Sequence, residues 1–311
     1  MLARLTRRLL WLQLVCVALI AIGATCWLHF TWPTALLTAS LTLVLVRMAV
    51  TANSFTMAWR YHSKTPPEHR LGILQMPTLF FMEFYASMWS SSWGMPFKTF
   101  TGSDITTSDT AAVLLIHGYG CNSGYWHGMR KVLRQAEVAH RAVDLEPLFA
   151  DIEDYVPAIH QAVENLCRDS GRDEIIIVAH SMGGLAARAY VRVHGLKRVA
   201  RLITLGTPHH GTGIANFGAG MNCRQMHWRG NAANGAPSAW LRKLDASEDA
   251  PMRARVVSIY SHHDNIVSPQ ISAHLDGAHN IAYHGIGHVS LALHPQIQAR
   301  VLDEIRLATP A

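Results

Sequence analysis

The stretch EIIIVAHSMGG, residues 174–184, decides the fold class of this chain. Its β-branched start, 174–179, predicts a buried strand, and residues 182–194 predict a helix. The same alternation continues on both sides, with further strands predicted at 111–116, 138–145, 199–205, 255–261 and 280–283, and further helices at 125–135, 152–168 and 295–308. Strands that alternate with helices predict an α/β fold with a mostly parallel sheet covered on both faces.

The turn between that strand and that helix carries a candidate nucleophile, Ser181. A tight strand-to-helix turn lifts a serine hydroxyl above the sheet and needs small residues two positions before and after it. Ala179 and Gly183 occupy those positions. The backbone N–H of Met182, at the start of the helix, is then a candidate donor to an oxyanion.

A second glycine-rich turn, HGYG at 117–120, follows the first strand of the same domain. Acyl transfer builds negative charge on a carbonyl oxygen, which two preorganised N–H groups can stabilise. We therefore predict the N–H of Tyr119 as the second oxyanion donor, beside that of Met182.

A base and an acid that orients it are expected in the chain order Ser, Asp, His. Asp264 comes just after the strand predicted at 255–261, and His288 lies in a glycine-flanked loop after the last predicted strand. These two residues are the predicted acid and base. The rivals are His284 and His294 for the base and Asp276 for the acid.

Five motifs in this order resemble those of the α/β-hydrolase superfamily, and within it bacterial lipases and esterases. They are HGYG (117–120), AHSMGG (179–184), LGTPHHGT (205–212), SHHDNIVSP (261–269) and GIGHVSL (285–291). The resemblance implies an α/β-hydrolase fold with Ser181 as nucleophile, Asp264 as orienting acid and His288 as general base. It also implies oxyanion donors at Tyr119 and Met182. One departure is Ala179, where the commoner pattern has glycine.

The N-terminal third has a different composition. Leu9 to Leu28 carries no charge and is long enough to cross a bilayer, and Arg4, Arg7 and Arg8 precede it. A second apolar run, Thr34 to Val46, spans only if Arg47 snorkels and the helix continues. We predict a membrane anchor at 1–62 with one or two transmembrane helices; a signal peptide is the rival interpretation of the first.

Basic residues on both outer flanks predict a hairpin whose two ends face the cytoplasm, in a bacterial inner membrane. The catalytic domain is then cytoplasmic; if the second run lies in the interface instead, the domain is on the opposite side. Residues 63–110 are predicted to form a linker and an apolar, aromatic segment that lies in the membrane interface or packs on the domain. Residues 111–311 form the catalytic domain.

Residues 212–251 lie between two predicted strands and lack a strong periodic pattern. Such an insertion is often functional, and we predict a lid or acyl-binding cap over Ser181, with a surface excursion as the alternative. Its candidate substrate-binding residues are Phe217, Met221, Trp228 and Trp240.

Other function classes are not predicted. Residues 1–99 carry eight Lys and Arg and two Glu, which accounts for the whole net charge of +6, so the catalytic domain shows no basic stripe for nucleic acid. The pairs His209-His210 and His262-His263 have no ligand set at zinc spacing, and no cofactor motif occurs. We predict no metal and no cofactor.

The predicted function is a membrane-anchored serine hydrolase, a lipase or esterase, that cleaves carboxylic esters of lipid or acyl-chain type. The predicted partners are its ester or lipid substrate and the bilayer. A thioesterase or acyltransferase on the same triad is one alternative. An inactive hydrolase fold that serves as a membrane interaction module is an alternative of another class.

Overall fold

The computed structural model describes residues 1–104 and 111–308. Three long helices precede the sheet: α1 (Leu2–Leu28), α2 (Trp32–Trp59) and α3 (Gln75–Trp89). One turn of π-helix and a short fourth helix, α4 (Met95–Phe97), follow α3. The later helices are α5 (His127–Gln135), α6 (Val156–Ser170), α7 (Met182–His194), α8 (Met221–Gln225), α9 (Ala239–Ala246), α10 (Ala250–Ala254) and α11 (Pro295–Ala308).

Six parallel strands form the central sheet, in the order β2-β1-β3-β4-β7-β8. They are β1 (Ala112–Ile116), β2 (His140–Val143), β3 (Ile175–His180), β4 (Val199–Leu205), β7 (Val256–Ser261) and β8 (His279–Tyr283). Two short strands, β5 (Trp228–Arg229) and β6 (Ala236–Pro237), pair antiparallel outside this sheet. The predicted α/β class and parallel sheet are confirmed.

One predicted strand, 138–145, is too long. The N–H of Val138 donates to Leu133 at the end of α5, and the N–H of Leu145 donates to the Nε2 atom of His117. Both groups therefore leave the ladder, and the strand is confined to His140–Val143.

Both faces of the sheet are covered by buried apolar side chains. One layer joins the sheet to α6 and α7, and the other joins it to α5 and α11. The continuous apolar strands follow from this arrangement, because a parallel sheet between two helical layers has no solvated face. The carboxyl ends of β1, β3, β7 and β8 then meet at one edge, where the chemistry-bearing loops lie.

The first two helices form an antiparallel pair. Small side chains, Ala21 and Ala24 on α1 and Ala35 and Ala39 on α2, let the backbones approach. Both helices are long and apolar enough to cross a membrane, and most of their surface is exposed. The second apolar run meets one condition for a span, because its helix continues past Arg47 as far as Trp59.

The apolar, aromatic segment predicted within 63–110 contains α3, which has two different faces. Leu79, Glu83 and Ala86 of α3 are buried, whereas Phe81 and Tyr85 are exposed. The buried face packs on the loop after β8. One face of the segment therefore packs on the domain, and the other is an exposed apolar surface, so its place in the membrane interface stays a prediction.

Candidate active site

Ser181 lies at the tight turn between β3 and α7. Its backbone has φ 55° and ψ −128°, a conformation that costs a non-glycine residue about 1–3 kcal/mol. The turn is held by the Ser181 N–H, which donates to Leu205, and by the Thr207 hydroxyl, which donates to the Ser181 carbonyl at 2.9 Å. A Cβ at position 183 would lie 2.5 Å from the His117 carbonyl oxygen, so only glycine fits there.

The glycine-rich turn after β1 lies directly against Ser181. A Cβ at Gly118 would lie 2.8 Å from the Ser181 Cβ. Neither the N–H of Tyr119 nor that of Met182 donates a hydrogen bond to any residue within 1–104 and 111–308. Two free backbone donors therefore flank the serine, as an oxyanion site requires.

Asp264 and His288 form a buried pair at the ends of β7 and β8. The Nδ1 atom of His288 lies 2.7 Å from Asp264 Oδ2, and the other carboxylate oxygen accepts from the N–H groups of Ile266 and Val267 at 2.8 and 2.7 Å. The carboxylate is thus fixed by its own loop and presents one oxygen to the imidazole. With Nδ1 occupied, Nε2 is the nitrogen of His288 left for proton transfer.

His288 and Ser181 share their neighbours. The ring of His180, the residue before the serine, lies 4.6 Å from the ring of His288, and its Nε2 is 3.1 Å from the His288 carbonyl oxygen. Gly206, which follows the Leu205 carbonyl that binds Ser181, has φ 55°. A Cβ there would lie 3.2 Å from His288 Nδ1.

The pKa values of His288 and His180 are shifted in opposite directions. Burial lowers the pKa of His288. The charge of Asp264, the hydrogen bond to Asp264 and the charge of Glu83 outweigh burial, so the pKa of His288 lies above its usual value. Burial and the charge of His288 hold the pKa of His180 well below its usual value. His180 is therefore neutral at pH 7, and its Nε2–H can donate to the His288 carbonyl.

Sequence reasoning missed Glu83, which supports the loop of His288. This fully buried side chain of α3 accepts from the N–H of Val289 at 2.9 Å, and from the N–H and hydroxyl of Ser290 at 3.0 and 2.7 Å. Burial raises the pKa of Glu83, against these hydrogen bonds and the charge of His288. The one signal in the sequence was a lone acid in an apolar segment.

Asn265 supports the same loop from the other side. Its Oδ1 accepts from the N–H of His288 at 2.9 Å, and its Nδ2 donates to the hydroxyl of Ser54 on α2 at 2.7 Å. The hydroxyl of Ser268 likewise donates to the Ala58 carbonyl on α2 at 2.6 Å. The N-terminal helices thus contact the loops of both predicted triad partners of Ser181.

The rival residues contact other parts of the chain. His284 has its Nδ1 3.3 Å from that of His69 in the linker, and Asp276 is exposed beside His274. The Nδ1 of His294 accepts from the N–H of Gln296 at the start of α11. Of the predicted site residues, the structure therefore brings together Ser181, Asp264, His288, Tyr119 and Met182.

The insertion at 212–251 forms short elements, α8, β5, β6, α9 and the first two residues of α10. Phe217 and Met221 are 63% and 47% exposed, and between them the Ala219 carbonyl accepts from the Tyr119 hydroxyl at 3.0 Å. Trp228 and Trp240 are half-buried and donate to Asn231 and Glu153. The part around Ala219 therefore adjoins the predicted oxyanion turn, whereas Trp240 packs against the core beside α7.

His209, one of the paired histidines, has structural partners. His209 is buried between Arg188, Thr204 and Ser258, and burial and the charge of Arg188 hold its pKa well below the usual value. Within 1–104 and 111–308, no group of three His, Cys, Asp or Glu side chains is arranged to hold a metal ion.

The comparisons with known proteins agree with this fold. Residues 112–247 match the family model of palmitoyl protein thioesterase. The mature form of a Bacillus licheniformis lipase is 20% identical, with a TM-score of 0.53 over 67% of this chain and 95% of the lipase. Lipase B of Aspergillus fumigatus is 16% identical, with a TM-score of 0.55, over 66% of this chain and 55% of the fungal lipase.

These likenesses confirm the predicted α/β-hydrolase fold. This chain is a hydrolase-fold protein that resembles lipases, esterases and thioesterases. The matched family segment contains Ser181, Tyr119 and Met182, and it ends before Asp264 and His288.

Proposed function

We propose that this chain is a membrane-anchored serine hydrolase that cleaves carboxylic esters of lipid or acyl-chain type. The observation that carries the proposal is the buried Asp264–His288 pair beside the strained turn of Ser181. A serine hydroxyl is a weak nucleophile unless a base takes its proton, and this arrangement supplies one. Strained backbone of this kind clusters at active sites, which favours a functional role for the turn.

The proposed reaction runs in two steps. Ser181 Oγ attacks the ester carbonyl carbon and gives its proton to His288 Nε2, while the N–H groups of Tyr119 and Met182 stabilise the oxyanion. The bond to the alcohol breaks, and the alcohol leaves with the proton from His288. Water then attacks the acyl-serine, again with His288 as base, and releases the acid.

The membrane part of the proposal rests on α1 and α2, two long apolar helices with mostly exposed side chains. The N-terminal ammonium of Met1 contacts Glu146 of the catalytic domain, and the end of α2 contacts Ser268. Both ends of the hairpin therefore lie on the side of the domain. With Arg4, Arg7 and Arg8 at the start of α1, this favours a cytoplasmic catalytic domain, by the positive-inside rule.

A thioesterase is the second candidate function. It is favoured by the match to the palmitoyl protein thioesterase model, which includes the serine turn. The same triad serves both reactions, because only the leaving group differs.

A matched pair of substrates separates the two candidates. The same long acyl chain is offered as an oxygen ester and as a thioester, with the full chain in lipid nanodiscs and with Ser181→Ala as the blank. For a lipase or esterase, kcat/KM for the oxygen ester should at least equal that for the thioester. For a thioesterase, kcat/KM for the thioester should be higher by tenfold or more. Turnover of neither substrate by folded wild-type protein would favour the interaction module instead.

A further inference from the structure

Arg47 lies between the N-terminal helices, and no residue within 1–104 and 111–308 is an acidic partner for it. Its guanidinium donates to Gln13 Oε1 on α1 and to the hydroxyls of Ser91 and Ser92 in the π-turn after α3, the last two at 3.2 and 2.9 Å. All of these partners are neutral. Within the described ranges no carboxylate oxygen lies within 4.0 Å of Arg47. A half-buried cation among apolar helices is costly unless an anion compensates its charge.

Two cavities meet at Arg47. The larger, of about 460 Å³, lies between α1, α2 and the end of α3 and is lined by Leu10, Leu14, Leu43 and Val44. The smaller, of about 360 Å³, extends from Arg47 to Asn265 and Val289, beside the loops of the proposed triad. The larger cavity has room for several methylene groups, and its lining of leucine and valine suits an acyl chain. The smaller cavity is lined by more polar groups, Glu83 among them.

A second cation borders the larger cavity. Arg7 lines it, and within 1–104 and 111–308 no acidic group forms an ion pair with Arg7. Basic pockets between membrane helices on the cytoplasmic side are typical sites for anionic lipid headgroups.

The depth of Arg47 also suits a headgroup. Trp32 begins α2 at the tip of the hairpin, and Arg47 lies fifteen residues later, about 22 Å along the helix. If the tip reaches the far surface of a hydrocarbon core about 30 Å thick, Arg47 lies within about 8 Å of the near headgroup layer. Its long side chain can reach a phosphate there.

We infer that the groove between α1, α2 and α3 binds an anionic phospholipid of the bilayer, with its phosphate on Arg47 and one acyl chain in the larger cavity. This inference rests on the proposed membrane anchoring, and it does not require the proposed hydrolysis. The ligand is distinct from a substrate, because Ser181, Asp264 and His288 line neither cavity.

Lipid retention tests the inference without any need for turnover. The full chain, with Ser181→Ala to prevent consumption of lipid, is reconstituted with equal amounts of phosphatidylglycerol and phosphatidylcholine of identical chains. Native mass spectrometry then counts the lipids that remain bound. We expect one phosphatidylglycerol, preferred about tenfold over phosphatidylcholine, because charge-assisted hydrogen bonds to a guanidinium are strong.

Three variants separate the cation from its surroundings. Arg47→Gln should abolish the preference, and Arg8→Gln, a nearby exposed cation outside the cavities, should keep it. Gln13→Leu removes the helix-to-helix hydrogen bond and keeps the cation, so it should also keep the preference. If Arg47→Gln lowers the melting temperature more than Gln13→Leu does, Arg47→Lys should restore part of the preference.

Three results would overturn the inference: an unchanged preference in Arg47→Gln, its loss in Gln13→Leu with Arg47 intact, or retention of a free fatty acid in place of the phospholipid. Extraction of the chain from membranes by alkaline carbonate would contradict the anchoring itself. Loss of hydrolysis with lipid retention intact would contradict only the proposed enzyme.

Discussion

Replacement of the buried acid of α3, Glu83→Gln, tests how far the N-terminal helices control the proposed base. The carboxylate accepts three hydrogen bonds, one from Val289 and two from Ser290, immediately after His288. It also raises the pKa of His288 through its charge. The substitution keeps the size of the side chain, removes the charge and places an NH₂ donor where the loop offers only donors.

The magnitude follows from those contacts. One glutamine oxygen can still accept, but the NH₂ group faces a backbone or hydroxyl donor, so at least one hydrogen bond is lost and a buried group is left unsatisfied. We expect the free energy of unfolding to fall by about 1–3 kcal/mol. If displacement of the loop moves His288 and raises the free energy of the transition state by a similar amount, kcat/KM at high pH falls by about tenfold to a hundredfold.

The pH profile separates charge from packing. The base acts in its neutral form, so kcat/KM rises with pH through the pKa of His288. Without the charge of Glu83 that pKa falls, and the acidic limb should move to lower pH. In the control Ser290→Ala, one hydrogen bond is lost and the charge is kept, so the limb should not move to lower pH. An acidic limb at the wild-type position in a folded Glu83→Gln enzyme would refute the electrostatic link.

Two further substitutions test the geometry elsewhere. Gly206→Ala forces a Cβ into a φ of 55° and toward the His288 ring, so kcat/KM should fall at least tenfold, whereas Gly102→Ala meets open space and should leave it unchanged. Arg188→Met breaks a buried pair with Glu248, whose side chain is 2% exposed, and should lower the free energy of unfolding by about 3–5 kcal/mol in a urea titration. Unaltered kinetics in the first case, or a change below 1 kcal/mol in the second, would contradict the assigned contacts.

The sheet could be predicted because its strands are local signals. A run such as Ile175–His180 is β-branched and apolar over its whole length, and parallel strands between helical layers require that pattern. The predicted ends of the strands were less accurate than their predicted positions in the chain. The ladder at His140–Val143 stops where the N–H groups of Val138 and Leu145 find other partners, and no local pattern records those partners.

The chemistry-bearing residues could be proposed from order and position, because α/β folds gather strand ends at one edge. The residues that hold these side chains in place could not be predicted from the sequence. Glu83 is about 200 positions from the loop it holds, and Asn265 contacts Ser54 across a similar separation. Both contacts depend on the packing of α2 and α3 on the domain. Hydropathy indicated an anchor at α2 and an interfacial or domain-packing segment at α3, and it gave no indication that either helix supports the site.

The most direct test of the proposed nucleophile is labelling of the full chain in lipid nanodiscs with a fluorophosphonate, followed by mass spectrometry of the modified peptide. We predict a single phosphonylated residue, Ser181, and no labelling of Ser181→Ala. His288→Ala should label at least a hundredfold more slowly, because the hydroxyl has lost its base. Labelling at another serine, or equal labelling rates in wild type and His288→Ala, would contradict the proposed catalytic arrangement.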